Sequence, residues 1–415
     1  MGNFSIALSG LEAESVALNT IGNNLANLNT TAYKGQTTTF ADLFYQQMGE
    51  SGSGDAIQVG AGTKVSGTGT DFTEGTIVPD ANMNMADMAL VGNGFFVVQQ
   101  NGVQSLTRAG NFQLDSNGNL ITQDGQQVMG YPIVNGAVDQ NEGLVPITLP
   151  SGIAPAPSSG YQTRNVELAA NLDSRAPIGA TFSSPIQMYD SLGESHAATM
   201  SYVKTATNTW NYTISLPPGD ETGTPINNTG TLVFNSFGGL ISPLGSIDNV
   251  IFPGLTDGAA DLDQNWAIGP DTGTPLLITQ FASASTNTGI RENGNSVGLF
   301  QSFSIDSNGV ITAQLSNGES TPVGQIAVAT VGNTAGLTAS GNNNFSTTAA
   351  SGQASIGVAG TGGRGTIDDG ALEQSNVDIS TEFSNLIVAQ RAFEANSKTM
   401  TTFDKIAQDS LGLVR

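Results

Sequence analysis

One serine in this chain sits where a nucleophile could: Gly294-Asn-Ser296-Val-Gly298 matches the GxSxG pattern. That pattern serves acyl transfer when a sharp strand-to-helix turn lifts the hydroxyl toward an imidazole base. His196 is the sole histidine, in a polar stretch beside Glu194, and no helical spacing follows Ser296. The strand–turn–helix context is missing. Gly360-Thr-Gly362-Gly-Arg-Gly365 matches the GxGxxG of dinucleotide sites and follows a plausible strand, ASIGVA. Such a site needs a helix immediately afterwards to hold the pyrophosphate. Here Ile367-Asp-Asp-Gly370 follows and reads as another turn.

Two DSNG stretches, Asp115 to Gly118 and Asp306 to Gly309, gather oxygen ligands in the manner of a calcium loop. An EF-hand loop wants Gly at its sixth position and Glu at its twelfth. In this chain Gly is fourth and the twelfth residues are Gln126 and Asn317, so both stretches read as tight hairpin turns. One histidine and no cysteine leave no protein zinc site. No carboxylate pair stands out from the acidic background. The expectation is a chain with no catalytic residue, no cofactor and no metal.

Composition narrows the class further. At 415 residues the chain has room for two or more domains with real cores. Charged residues make up only 11%, so Gly 52 and the many Ser, Thr and Asn residues supply the surface polarity, as suits turn-rich β-structure. A net charge of -23 and a pI of about 4.1 argue against nucleic acid or anionic membranes as partners. Without cysteine no disulfide forms in any compartment. MGNFSIALSG carries no basic n-region, so no cleaved secretory signal is expected. ADMALVGNGFFVV is broken by Gly92 and Gly94, so no membrane insertion is expected.

The elements that organise the chain lie at its two ends, outside the span from Pro79 to Pro322 that holds every proline. Ile379, Leu386, Phe393, Met400 and Ala407 recur every seven residues, flanked by Phe383, Ala389, Asn396, Phe403 and Leu411. That is the signature of a helix burying a seam. Arg391, Lys398 and Lys405 repeat at the same period as a basic ridge. At the N-terminus Phe4, Leu11, Leu18 and Leu25 fall seven apart, with Ala7, Ile21 and Leu28 as a second row. The two stripes are natural partners in a coiled coil. Asn19, Asn23 and Asn27 recur every four residues, either as a fraying helix end or as an amide ladder toward neighbouring chains.

Between the ends the pattern turns to β. Residues 33–72 weaken into a Gly- and Ser-rich extended arm with room for one short strand. Short runs bounded by Gly, Asn or Asp follow, such as Gly94-FFVVQ and Gln127-VMGYP, as expected of antiparallel β-structure. Pro150 to Gly160 reads as a linker into a second β-domain. Leu299-FQSFSIDSNGVITAQL then echoes Phe112-QLDSNGNLIT, so one β-domain is left and re-entered. The fold class is α+β, with two largely antiparallel β-domains between paired end helices and the outer domain inserted into the inner. The expected boundaries are 1–31 plus 375–415 for the helical domain and 32–72 plus 362–374 for the arm. The inner β-domain takes 73–160 plus 288–361, and the outer one 161–287.

Ala7-LSGLEAESVALNTIGNNLANLNTTAYKG resembles the N-terminal signature of bacterial flagellar rod and hook proteins. Ile367-DDGALEQSNVD and Ile387-VAQRAFEANSK resemble their C-terminal signature, and LTRAGNFQLDSNGNLITQDGQQVMGY their shared β-domain. Tyr189-DSLGESHAATMSYVK, with Trp210, resembles the outer domain that hook members carry and rod members lack. Ala32-Tyr33 stands where the family usually has Gly-Phe, and the arm after Phe40 is longer than in some members.

The resemblance implies a non-enzymatic flagellar subunit, exported through the type III apparatus without a cleaved signal peptide and located outside the cell. It implies polymerisation into a curved hollow tube that carries motor torque from rod to filament. Its partners would be itself, the distal rod, the hook cap and the hook-filament junction proteins. Read from the stripes and ridges, the assembly interface is expected on Phe4, Leu11, Leu18, Asn23, Asn24, Leu25 and Asn27. On the C-terminal helix it is expected on Leu386, Arg391, Phe393, Lys398, Met400 and Lys405. Two alternatives stand beside this: a distal rod protein with an insertion, and a secreted hydrolase or glycan-binding β-protein carrying assembly tails.

Overall fold

With no proline before Pro79, the first stripe forms one helix, α1, Gly2–Ala26. The C-terminal stripe forms a second, α2, of 34 residues over Ile379–Gly412, and Gly412 is the only glycine in it. Asp378 caps α2, its carboxylate accepting the Thr381 amide at 2.7 Å, while Glu382 sits in the first turn where the helix dipole favours a negative charge. The computed structural model describes residues 2–50, 56–80, 84–134, 137–150, 153–154, 163–269 and 278–412. The linker expected over Pro150 to Gly160 falls mostly outside these residues. The chain forms two compact units. One is Met1–Leu149, Phe303–Thr312 and Pro322–Arg415; the other is Pro150–Ser302 and Ala313–Thr321.

In the first unit an antiparallel sheet runs, in spatial order, through Ser320–Thr330, Gln127–Val134, Phe95–Gln100, Val103–Thr107, Asn344–Ser346 and Thr338–Gly341. The run FFVV is apolar at every position because the strand is covered on both faces: Phe95, Phe96, Val97 and Val98 are all buried. Phe95 packs with Phe72 and Phe345 on one face, centroids 5.1–5.9 Å apart, and Phe96 meets Phe112 edge-on at 5.2 Å on the other. The DSNG stretches are turns. Asp115 accepts the amides of Asn117 and Asn119 at 2.8 Å, Asp306 does the same for Asn308 and Val310, and both final glycines take φ +83.

The arm carries more order than its composition suggested. Instead of one short strand it forms two antiparallel ladders, Gln36–Asp42 with Thr63–Thr70 and Tyr45–Glu50 with Ala56–Gly60. The β-branched run Thr37-Thr38-Thr39 suits an extended backbone, and α1 supplies the surface beneath it. The Thr63 amide donates to Ser9 Oγ at 3.2 Å, and Thr38 Oγ1 donates to Thr20 Oγ1 at 3.0 Å.

Both ends of the chain meet at one place beside the body. The Ala32 amide donates to the Glu373 carbonyl at 2.8 Å, and the Gly35 amide donates to Asn376 Oδ1 at 2.8 Å. Ala32 is buried at φ +53, a left-handed conformation that an L-residue adopts with strain and glycine without. Tyr33 adds a hydroxyl that Phe lacks. That hydroxyl accepts from Asn23 at 3.0 Å and donates to Asn24 Oδ1 at 3.3 Å.

Asp87, in this unit, is 6% exposed. Burial and the neighbouring Asp80 push its carboxyl from the ordinary 3.8 up to about 6, against the opposing hydrogen bond from Asn84. The folded state therefore holds this proton more tightly than the unfolded chain does. Stability from this group is present below about pH 4 and is lost as pH rises to about 6. Asp87→Asn is expected to add about 1–3 kcal/mol at pH 7 and to flatten that slope. Urea titrations at pH 4, 5, 6 and 7 check it, and parallel curves for parent and variant would refute it.

In the second unit two five-stranded sheets share a core. One is antiparallel: Thr181–Tyr189, Ser195–Ala206, Thr209–Ser215, Thr229–Phe234 and Leu240–Ser242. The other joins Asn165–Asn171 to Leu262–Ala267 and Ile278–Thr279 in parallel and to Thr286–Glu292 antiparallel. Alternation along His196, Ala198, Met200, Tyr202 and Lys204 turns every second side chain inward. Trp210 and Trp266 fill the core, and their indole N–H groups donate to Gln280 and Gln264.

Candidate assembly interface

The two loops with enzyme-like spacing lack the element their chemistry needs. Gly294–Gly298 leads into the strand Gly298–Ile305, and Gly360–Gly365 into the strand Thr366–Asp369. The chemistry on offer lies on α1 and α2.

On α1 the seven-residue period holds, but the buried column is not the leucine row. Ala7, Gly10, Ala13, Ala17, Thr20, Ile21 and Asn24 are buried, while Leu11, Leu18 and Leu25 are half-buried and Leu8 and Val16 are exposed. The expected seam on Phe4, Leu11, Leu18 and Leu25 is corrected by one column. The second row, Ala7 and Ile21, is the inward one; the Phe4 side chain lies outside the described set. Small residues win because they let α2 approach closely. At Gly10 a Cβ would sit 2.7 Å from Asn396 Nδ2 of α2.

The asparagines divide. Asn24 is buried and all its hydrogen-bonding capacity is used within the chain. Its amide donates to the Gln36 carbonyl at 2.8 Å and to Glu382 at 3.3 Å, and its oxygen accepts from Gln36 and Tyr33. Nothing is left for a neighbouring chain, so Asn24 is removed from the expected interface. Asn27 donates to the Asn23 carbonyl at 2.9 Å and accepts from Thr30 at 3.1 Å, closing the helix end.

Along α2 the buried or half-buried positions are Glu382, Leu386, Ala389, Ala392, Asn396, Ser397, Met400 and Phe403. Leu386, Ala389, Asn396, Met400 and Phe403 of the expected seam are thus protected, while Ile379, Phe383, Phe393 and Ala407 are exposed. Only Ala389 is fully buried among the described residues of this helix. Ile379, Phe383 and Ile406 are exposed, Phe393 is 37% exposed, and Ile387 and Val388 reach 58% and 68%. So many large apolar side chains on one helix mark a surface that awaits a cover. Val388 and Phe40 edge a groove of ≈ 350 Å³ between α1, the strand Gln36–Asp42 and α2. Arg391, Lys398 and Lys405 are all exposed. Arg391 pairs with Glu394 at 3.0 Å, an exposed contact of little energetic weight. The ammonium groups of Lys398 and Lys405 have no ion-pair partner among the described residues.

Sequence reasoning missed what anchors this region. Glu373 is 1% exposed and lies between two cations. Lys34 Nζ is 2.6 Å from Oε1, Arg108 Nε is 2.9 Å from Oε2, and the Gly75 amide donates to Oε1 at 2.8 Å. Arg108 also donates to the carbonyls of Leu90, Gly92 and Gly94. Burial alone would raise the Glu373 carboxyl; Arg108, Lys34 and the Gly75 amide more than reverse this and hold it below its ordinary range. The one available signal was the scarcity of base: twelve Lys and Arg in all.

Exposed apolar side chains along a terminal helix are the mark of a protein built to associate. Family models agree on the setting. "Flagella basal body rod protein" matches residues 4–34, and "Flagellar hook protein FlgE/F/G D1 domain" residues 89–169. "Flagellar basal body protein FlaE D2 domain" matches 160–295, and "Flagellar basal body rod FlgEFG protein C-terminal" 368–413. The flagellar hook protein FlgE of Salmonella typhimurium is 33% identical over 430 residues, covering 99% of this chain and all of that one. The Escherichia coli K12 hook protein is 34% identical over 429 residues, covering 99% of both. The crystal structure of Helicobacter pylori FlgE2 covers 70% of this chain and 98% of its own, at TM-score 0.46 and 15% identity. This chain belongs to the flagellar hook protein family.

Proposed function

We propose that this chain is the structural subunit of a flagellar hook, polymerising head-to-tail into a curved hollow tube that transmits torque from rod to filament. The observation that carries this is α2 itself, on which Phe383, Ile387 and Val388 stand exposed and, further along the helix, Lys398 and Lys405 have no ion-pair partner among the described residues. Repeated heterologous contacts of that kind generate open helical assemblies rather than closed rings. In this reading α1 and α2 pair as a coiled coil lining the tube, and residues 161–287 form an outer domain inserted into the inner one. The chain works outside the cell, reaches its place through the type III apparatus uncleaved, and meets the rod, the cap and the junction proteins at the ends of the tube. It catalyses no reaction. Side chains poor in charge and rich in Ser, Thr and Asn suit wet contacts that slide as the tube bends.

Concentrating the purified full-length chain is expected to give curved tubes in electron micrographs above a sharp critical concentration. Amide exchange along Ile379–Gly412 is expected to slow on assembly. Soluble monomer at all concentrations, or exchange at α2 that assembly leaves unchanged, would overturn the reading.

A further inference from the structure

The second unit holds a buried imidazole ringed by carboxylates from three separate loops. His196, 5% exposed, is paired across the ladder with Met188, and the chain between them turns through Asp190. Asp190 Oδ1 accepts the amides of Leu192 and Glu194 at 2.7 and 2.9 Å, which leaves Oδ2 facing His196 Nε2 at 3.2 Å. Asp257 comes from the loop after Ser246–Phe252. Its Oδ1 accepts the Ala259 amide at 2.9 Å, and its Oδ2 lies 3.6 Å from the same Nε2. On the far side of the ring, Asp220 Oδ2 lies 3.0 Å from Nδ1. The loops are stitched together, with the Thr256 amide donating to the Asp220 carbonyl at 3.0 Å and the Ala260 amide to Ser191 Oγ at 2.9 Å.

We propose that His196 Nε2, Asp190 Oδ2 and Asp257 Oδ2 bind one divalent cation of the zinc class, with Asp220 as the positioning residue that orients the imidazole. The three donor atoms lie within 4.8 Å of one another. Nε2 stands 3.2 Å from Asp190 Oδ2 and 3.6 Å from Asp257 Oδ2, on either side of the roughly 3.3 Å that separates donors bound at about 2.0–2.2 Å around a tetrahedral centre. The far oxygens of both ligating carboxylates are fixed by backbone amides, and the far ring nitrogen faces a carboxylate. That is the support that orients metal-binding histidines.

Charge points the same way. Three carboxylates surround one imidazole, and none of them pairs with Lys or Arg among the described residues. With all three carboxylates ionised, a protonated ring would leave two negative charges uncompensated at a site where the Asp190 side chain is wholly buried. A divalent ion beside a neutral ring leaves one. The imidazole nitrogen selects zinc-like ions over calcium and magnesium, which prefer all-oxygen shells. Counting histidines and cysteines in the sequence suggested no such site, because two of the three carboxylates lie far from His196 in the chain.

The test titrates the full-length chain, stripped of metal by chelation, with zinc chloride and separately with calcium chloride, by calorimetry and equilibrium dialysis. One zinc per chain is expected, bound at least tenfold more tightly than calcium, with the unfolding midpoint raised by roughly 5 °C. Asp257→Asn and His196→Gln should each abolish stoichiometric uptake, and Asp220→Asn should weaken it by about 10–100-fold. Asp257 lies on an exposed loop, so that variant decides the matter should His196→Gln fail to fold. No uptake at one per chain, uptake that survives Asp257→Asn, or calcium bound as well as zinc would each overturn the assignment.

Discussion

Glu373→Gln is expected to destabilise the first unit by about 3–5 kcal/mol, the cost of leaving buried charge uncompensated. One carboxylate serves Arg108, Lys34 and the Gly75 amide at once. Glutamine keeps the shape but removes the charge and turns an N–H₂ group toward two cations. Neither cation can reach water, since the side chains of Lys34 and Arg108 are 1% and 6% exposed. Denaturant unfolding of parent and variant at pH 7 measures the effect, and a loss below about 1 kcal/mol would show that water already relieves the cluster. The acid limb offers a second readout. Because Glu373 is held below its ordinary range when folded, its contribution is full above the unfolded value and is lost as pH falls through the lower folded one. The variant should therefore lose less stability than the parent on acidification.

Val388→Asp is expected to abolish tube formation while leaving the monomer folded. At 68% exposure the valine contributes little within the chain, so the monomer should change by no more than about 0.5 kcal/mol. In the tube the same position would bury an unpaired carboxylate. Even about 3 kcal/mol of that penalty per subunit raises the critical concentration more than 100-fold. Sedimentation across a concentration series reads it directly, with unfolding curves as the control. Tubes forming at the parent concentration would show that this face of α2 looks onto solvent in the assembly.

What could be read in advance followed from how local each signal was. The DSNG turns were legible because an Asp side chain and a Gly three positions along settle the backbone between them. The period of both end stripes was legible too. On α2 the phase holds at Leu386, Ala389, Asn396, Met400 and Phe403 but not at Phe383 and Phe393, where Glu382 and Ala392 are the protected neighbours instead. On α1 the phase went wrong because leucine outweighs alanine in any hydropathy count. Packing against Asn396 and the Thr63 ladder instead rewards the closest approach, which Gly10, Ala13 and Ala17 permit. The arm was under-read because its Gly and Ser content masked three consecutive threonines. The ion cluster and the aspartates around His196 were invisible for a different reason. Lys34, Arg108 and Glu373 acquire meaning only when three distant segments meet, as do Asp190, Asp220 and Asp257.

The hydrogen bonds from Ala32 to Glu373 and from Gly35 to Asn376 make everything between these residues a loop closed at its base. The closure is made locally, so its geometry does not depend on how much chain the loop contains. Lengthening a closed loop costs only logarithmically in entropy. The β-body is thus a replaceable cassette on a fixed mount. Strands can be added or trimmed within it while α1 and α2 keep the same starting point.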